Sequence, residues 1–157
     1  MSVRELNKNF PEIEIRGNPI FKYRTKKAIE LIKNETPDTY KMVAEFIAII
    51  RQGKQSGMWA FENPPAFEVG NLTYMASRKW YASTIVHDAY HSKLFHTHRR
   101  EHNLPVPRDV WTGKEAEMKC MDVQEEFLIA VRAPRRTLEH LNRKRTEYFW
   151  EIPARHW

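Results

Sequence analysis

The stretch from Trp80 to Phe95 constrains this chain more than any other. On a helix, Trp80, Tyr81, Thr84, Ile85, His91 and Phe95 share roughly one side, and Val86, Ala89, Tyr90 and Leu94 widen it. A helix that is apolar most of the way round is expected to be central and buried. Yet this one carries His87, Asp88 and His91. Three polar side chains in such surroundings cost free energy unless each has a partner. Their spacing suggests one. Histidines at i and i+4 lie one turn apart on the same face, so two imidazoles can converge on a single metal ion. Zn²⁺ is the natural candidate, with three protein ligands and a water in the fourth position. An acidic residue directly after the first histidine, Asp88, points near that water.

The rest of the chain is read around this helix. Its 157 residues suit one domain, 1–157, and five Trp, eight Phe and six Tyr supply ample apolar area for one core. Residues 1–20 read as an irregular N-terminal arm, with Glu12 to Ile15 alternating like a short strand. Helices are expected over 21–34 and from Pro37 to about Arg51. Three short aromatic and β-branched runs follow, at 58–61, 66–69 and 72–75, with Gly70-Asn71 placed like a hairpin turn. The central helix is expected from Ser77 to about Phe95, a loop from His96 to Asp109, and further helices to about Ala133 and from Arg136 to Trp150. Thr112 to Glu115 has the spacing of a capping box. The expected fold is therefore α+β: a mainly helical domain with a small antiparallel sheet before a central metal-binding helix.

A third ligand is expected from a later helix. Glu115-Ala116-Glu117 opens one, 24 residues after His91. His87-Asp88-Ala89-Tyr90-His91, the preceding short sheet and this downstream Glu together resemble the gluzincin-type zincin metallopeptidases, especially their minimal single-domain members. The resemblance covers about Phe67 to Ile129. It implies a zinc-dependent peptidase acting on a peptide or protein substrate. His87, His91 and Glu115 would be the ligands, Asp88 the general base, and Asp122 a supporting residue. The family helix carries Ala and Asp where this chain has Met118 and Lys119, and its motif carries Glu where this chain has Asp88. The shorter side chain withdraws the carboxylate by about 1.5 Å. Glu117 is the alternative ligand. It lies ~200° from Glu115 around a helix, so only one of the two can face the ion.

Other patterns are weaker. His98-Arg99-Arg100-Glu101-His102 fits the inverted zincin motif, but its setting is polar and two arginines would repel a cation. Thr97 stands where a metzincin would have its third histidine. The His87-Asp88 pair is also found in HD-type phosphohydrolases, but those need an earlier histidine, and none precedes position 87. Arg136, His140 and Tyr148 are candidates to stabilise an oxyanion. The single cysteine, Cys120, excludes an intrachain disulfide and a cysteine-rich zinc site, and it reads as a small core residue. No stretch is long and apolar enough for a membrane span, and the first residues lack a secretory apolar run, so a cytoplasmic protein is expected. The net charge of +6 carries the second reading, a non-enzymatic basic module for nucleic acid or an acidic partner. Its lysines and arginines are spread along the chain, more as a solvated face than a stripe. Oligomeric state is not legible in the sequence.

Overall fold

The structure is a computed structural model that describes residues 12–102 and 105–147. In chain order the elements are β1 (Glu14–Arg16), α1 (Pro19–Glu35), α2 (Pro37–Phe46), β2 (Ile49–Gln52), β3 (Gly57–Trp59), β4 (Ala66–Val69), α3 (Asn71–Tyr74), α4 (Arg78–His102), α5 (Arg108–Trp111), α6 (Gly113–Ala130) and α7 (Arg135–Thr146). The fold is mainly helical with one small sheet, as an α+β reading requires.

Local signals explain most boundaries. Asn18 caps α1, its Oδ1 accepting from the Phe21 amide at 2.8 Å, and Pro19 occupies the first turn. α1 buries Phe21, Thr25, Ala28 and Ile32, a spacing of four, three and four. Pro37 ends α1 and starts α2. The second helix stops at Phe46 rather than near Arg51, because Ile49 and Ile50 leave it for the sheet interior, where both are buried. Such a β-branched run serves equally as a buried helix or a buried strand.

The sheet order is β1-β2-β4-β3. β1–β2 and β2–β4 are parallel and β3–β4 is antiparallel, so the sheet is mixed rather than mainly antiparallel. The parallel β1–β2 pairing follows from α1 and α2, which carry the chain back from the end of β1 to the start of β2. Ile50 lies opposite both Ile15 and Phe67. Gly70-Asn71 is not a hairpin turn. Gly70 caps α3, and its carbonyl accepts from the Thr73 and Tyr74 amides, so Leu72 to Tyr74 is a helical turn and not a strand.

α4 is the axis of the molecule and packs along α1, α2 and α6. Ser77 starts it, accepting from the Trp80 amide at 3.2 Å. It runs on to His102, so His96 to His102 is a helical extension and not a loop; His96 packs on Phe46 and Phe95, and the last turn is exposed. The main core gathers Phe21, Ile47, Ile50, Phe67 and Ile85 between the sheet and the first helices, and Trp80, Met121, Leu128 and Leu141 form a second cluster under α7. The capping box at α6 does not form. Thr112 Oγ1 instead donates to the Arg108 carbonyl at 2.5 Å. α7 ends at Thr146. Tyr148, Trp150 and Trp157, like Met1 to Pro11 of the arm, lie outside the described residues. No helix among the described residues is long and apolar enough to cross a membrane.

The inward stripe of α6 is Ala116, Glu117, Cys120, Met121, Gln124, Phe127 and Leu128, and Ile129 is 58% exposed. Leu128→Ala is therefore expected to cost about 2–5 kcal/mol of stability, and Ile129→Ala no more than about 0.5 kcal/mol. Chemical denaturation of the two variants checks this, and similar losses at both positions would contradict the assigned face.

Candidate metal centre

α4 and α6 face each other with polar side chains at the middle of their contact. His87 and His91 come from α4; Glu117, Cys120 and Gln124 come from α6, at i, i+3 and i+7 on one face. All five are buried, and none is more than 5% exposed. His87, His91 and Cys120 form a group whose ligand atoms all lie within 4.8 Å of one another and which could hold a metal ion.

The hydrogen bonds around this group determine which ring nitrogens face inward. Ser83 Oγ donates to the Trp80 carbonyl at 2.7 Å, so it accepts from Gln124 Nε2 at 2.9 Å. That turns Gln124 Oε1 towards His87 Nδ1 at 2.8 Å, and an amide oxygen can only accept. His91 Nδ1 likewise meets the Trp111 carbonyl at 2.6 Å and must donate to it. Both neutral rings therefore carry their proton on Nδ1 and their lone pair on Nε2. Yet the two Nε2 atoms stand 3.1 Å apart, and the Glu117 carboxylate lies 3.0 Å from one and 3.3 Å from the other.

Two lone pairs and a carboxylate directed at one buried point repel one another unless a cation lies between them. A proton satisfies one contact; a divalent ion satisfies all three. The separations fit the second option. Donors at ~2.0 Å around a tetrahedral zinc stand about 3.3 Å apart; the two Nε2 atoms are 3.1 Å apart, and the carboxylate meets His87 through Oε2 at 3.0 Å and His91 through Oε1 at 3.3 Å. The Nδ1 partners also match the usual support of metal-bound histidine, a hydrogen bond on the far nitrogen that fixes tautomer and ring orientation.

The metal-free charge state reflects the same geometry. Burial opposes charge on His91, but Cys120 and Glu117 outweigh it and hold its pKa well above the ordinary histidine range. Burial also favours a neutral Glu117, but its contacts with the two imidazoles, of which His91 carries the extra proton in the metal-free protein, outweigh it and hold its pKa well below the usual carboxylate range. Burial pushes the Cys120 thiol up.

A cleft of about 270 Å³ reaches this cluster. Asp88, His91 and Glu117 form one wall; β3, Phe61 and Trp111 form the other. Asp88 itself is 2% exposed. β3 is an edge strand of the sheet, and Trp59 and Phe61 are exposed at the cleft with their rings 5.7 Å apart.

Three sequence expectations change here. Glu115 does not face the histidines. It is exposed on the first turn of α6, and Glu117 takes the inward position. The reason is the helix stripe: Ala116, Cys120 and Leu128 must be buried, and Glu117 lies with them. Asp122 does not support the site. It pairs with Arg145 at 2.8 Å on the surface, and Gln124 holds His87 instead. Arg136 and His140 line a different hollow, beside Trp80. Gln124 and Cys120 carried no motif of their own. The available signal was the α6 stripe, which stays continuous only if polar Glu117 and Gln124 are counted as inward. His98 and His102, with rings 4.2 Å apart, sit on the exposed end of α4. Some of the basic residues are committed within the fold: Arg24 binds the Tyr74 and Ala76 carbonyls, and Arg145 pairs with Asp122 and Glu125.

These assignments set a pH dependence. A histidine with a raised folded pKa contributes stability fully present below about pH 6.5 and lost as pH rises through the folded value. A metal ion needs the same ring neutral, so its stabilisation grows in the opposite direction. Saturating Zn²⁺ at about 100 times its dissociation constant is expected to add about 2.7 kcal/mol, a rise of roughly 5–10 °C in melting temperature. That increment should grow between about pH 5 and about pH 8. Thermal melts with and without Zn²⁺ measure it, and an increment that shrinks with rising pH would contradict the assignment. No family model, no curated protein and no solved structure matches the chain.

Proposed function

We propose that this protein is a zinc-dependent hydrolase of the zincin type that cleaves peptides, with His87, His91 and Glu117 as ligands and Asp88 as the proton acceptor. One observation carries the reading: two inward Nε2 lone pairs and a buried carboxylate meet at the wall of an open cleft. Zinc bound there would supply a Lewis acid that acidifies water and polarises a carbonyl.

The chain's own residues supply the remaining functions. Gln124 and the Trp111 carbonyl hold the two imidazoles in the ligating tautomer. Asp88, next to His87 and on the cleft wall, takes the proton released when water attacks, from a position set back by the missing methylene. β3 lies beside the cleft with an edge available for main-chain pairing, which suits an extended peptide added as one more strand. Trp59 and Phe61 give that strand's side chains an apolar surface and restrict water near the reacting carbonyl.

Metal analysis of the purified protein is expected to find about one zinc per chain. His87→Ala and Glu117→Gln should lose it; Glu115→Gln, altering an exposed residue, should not. Peptide-library cleavage should be abolished by a chelator and restored by Zn²⁺. Asp88→Asn should lower kcat by about 10²–10⁴-fold while zinc content stays unchanged. Zinc content indifferent to His87→Ala would overturn the ligand set. Full zinc with no chelator-sensitive cleavage would overturn the hydrolase assignment while leaving the ligands in place.

A further inference from the structure

We propose that Cys120 is a fourth protein donor to the ion that His87, His91 and Glu117 would hold. This rests on the metal reading above and adds a ligand that the resemblance to zincins does not supply.

Position comes first. Cys120 lies one turn after Glu117 on α6, on the same inward face. Its Sγ is within 4.8 Å of the ligating nitrogens of both histidines, and all three residues are buried. His91 Nδ1 is occupied by the Trp111 carbonyl, so the ring can offer an ion only Nε2. The cleft is lined by Asp88, His91 and Glu117 but not by His87 or Cys120. Cys120 would thus add a donor that is not on the cleft lining, and zinc accepts a fifth position when four protein donors and a water are present.

The surroundings favour this role over that of a space-filling core residue. A structural cysteine behaves as a small hydrophobe and suits apolar neighbours. Cys120 is instead set among two imidazoles and a carboxylate. On metal binding the S–H bond breaks, a sulfur–metal bond forms and the thiol proton leaves to solvent, together with the proton that His91 holds in the metal-free protein. A thiolate beside two imidazoles is a soft donor set. It favours Zn²⁺ and Co²⁺ and disfavours Mg²⁺, Ca²⁺ and Mn²⁺, which prefer oxygen.

The test uses the full chain loaded with Co²⁺ in place of zinc, read by absorption spectroscopy. Cys120 is the single cysteine, so a thiolate-to-cobalt charge-transfer band has one possible source. The wild-type protein is expected to show that band in the near ultraviolet together with visible ligand-field bands. Cys120→Ser should lose the charge-transfer band, keep ligand-field bands from histidine-bound cobalt, and bind Co²⁺ roughly 10–100-fold more weakly. Ligand-field bands in the wild type without charge transfer would overturn the Cys120 assignment and leave the histidine–glutamate site standing. A wild-type protein that binds no Co²⁺ would overturn both. The wild-type spectrum decides even if the serine variant fails to fold.

Discussion

The structure turns on the direction of two lone pairs. His87 and His91 have each committed Nδ1 to an oxygen that can only accept, one on Gln124 and one on the Trp111 backbone. Their Nε2 atoms then face each other across 3.1 Å with a carboxylate beside them. Without a metal ion the cluster is held by a proton instead, with a charged His91 facing the Glu117 carboxylate at 3.3 Å. Either way a positive charge between α4 and α6 is what makes the buried carboxylate tolerable where water is excluded. The Ser83–Gln124 bond, and α5 just ahead of α6, hold the inward geometry in place.

That cost explains the layout around the centre. Burying Glu117 and two imidazoles is expensive in an apolar interior, and proteins that do so pair them or bind metal. Here the expense falls beside a cleft that is also lined by the edge strand β3 and by the exposed aromatic side chains Trp59 and Phe61. The mixed sheet contributes by topology. Because β4 pairs with β2 on one side and β3 on the other, β3 is left at the edge and next to α4.

The legible parts of the sequence were those where polarity conflicted with pattern. His87, Asp88 and His91 stood out because their helix is otherwise apolar, and the same contrast placed that helix at the centre. The α+β class and most helix starts followed from proline, asparagine and serine at the termini. Four readings changed for definable reasons. Glu115 drew the ligand assignment through its place in the zincin-like pattern of the following helix, yet it is exposed on the first turn of α6 and Glu117 takes the inward position. The face of α6 was read from Met118, Met121, Val123, Leu128 and Ile129; Met121 and Leu128 are buried, but the inward stripe also runs through Glu117, Cys120 and Gln124. Apolar counting hides a stripe whose members are polar. Ile49 and Ile50 extended a helical pattern into what is a strand, because a short β-branched run fits both periods and only the neighbouring strands decide. His96 to His102 looked like a loop for its polarity, but nothing breaks the helix before Pro105, and its end simply projects into solvent.

The central claim is that α4 and α6 hold one metal ion between His87, His91 and Glu117. The most direct measurement is anomalous X-ray diffraction at the zinc absorption edge from crystals of the zinc-loaded protein. The account predicts one strong anomalous peak at coordination distance from His87 Nε2 and His91 Nε2 and against the Glu117 carboxylate. A peak confined to His98 and His102 on the exposed end of α4, or no peak at the α4–α6 contact, would contradict it.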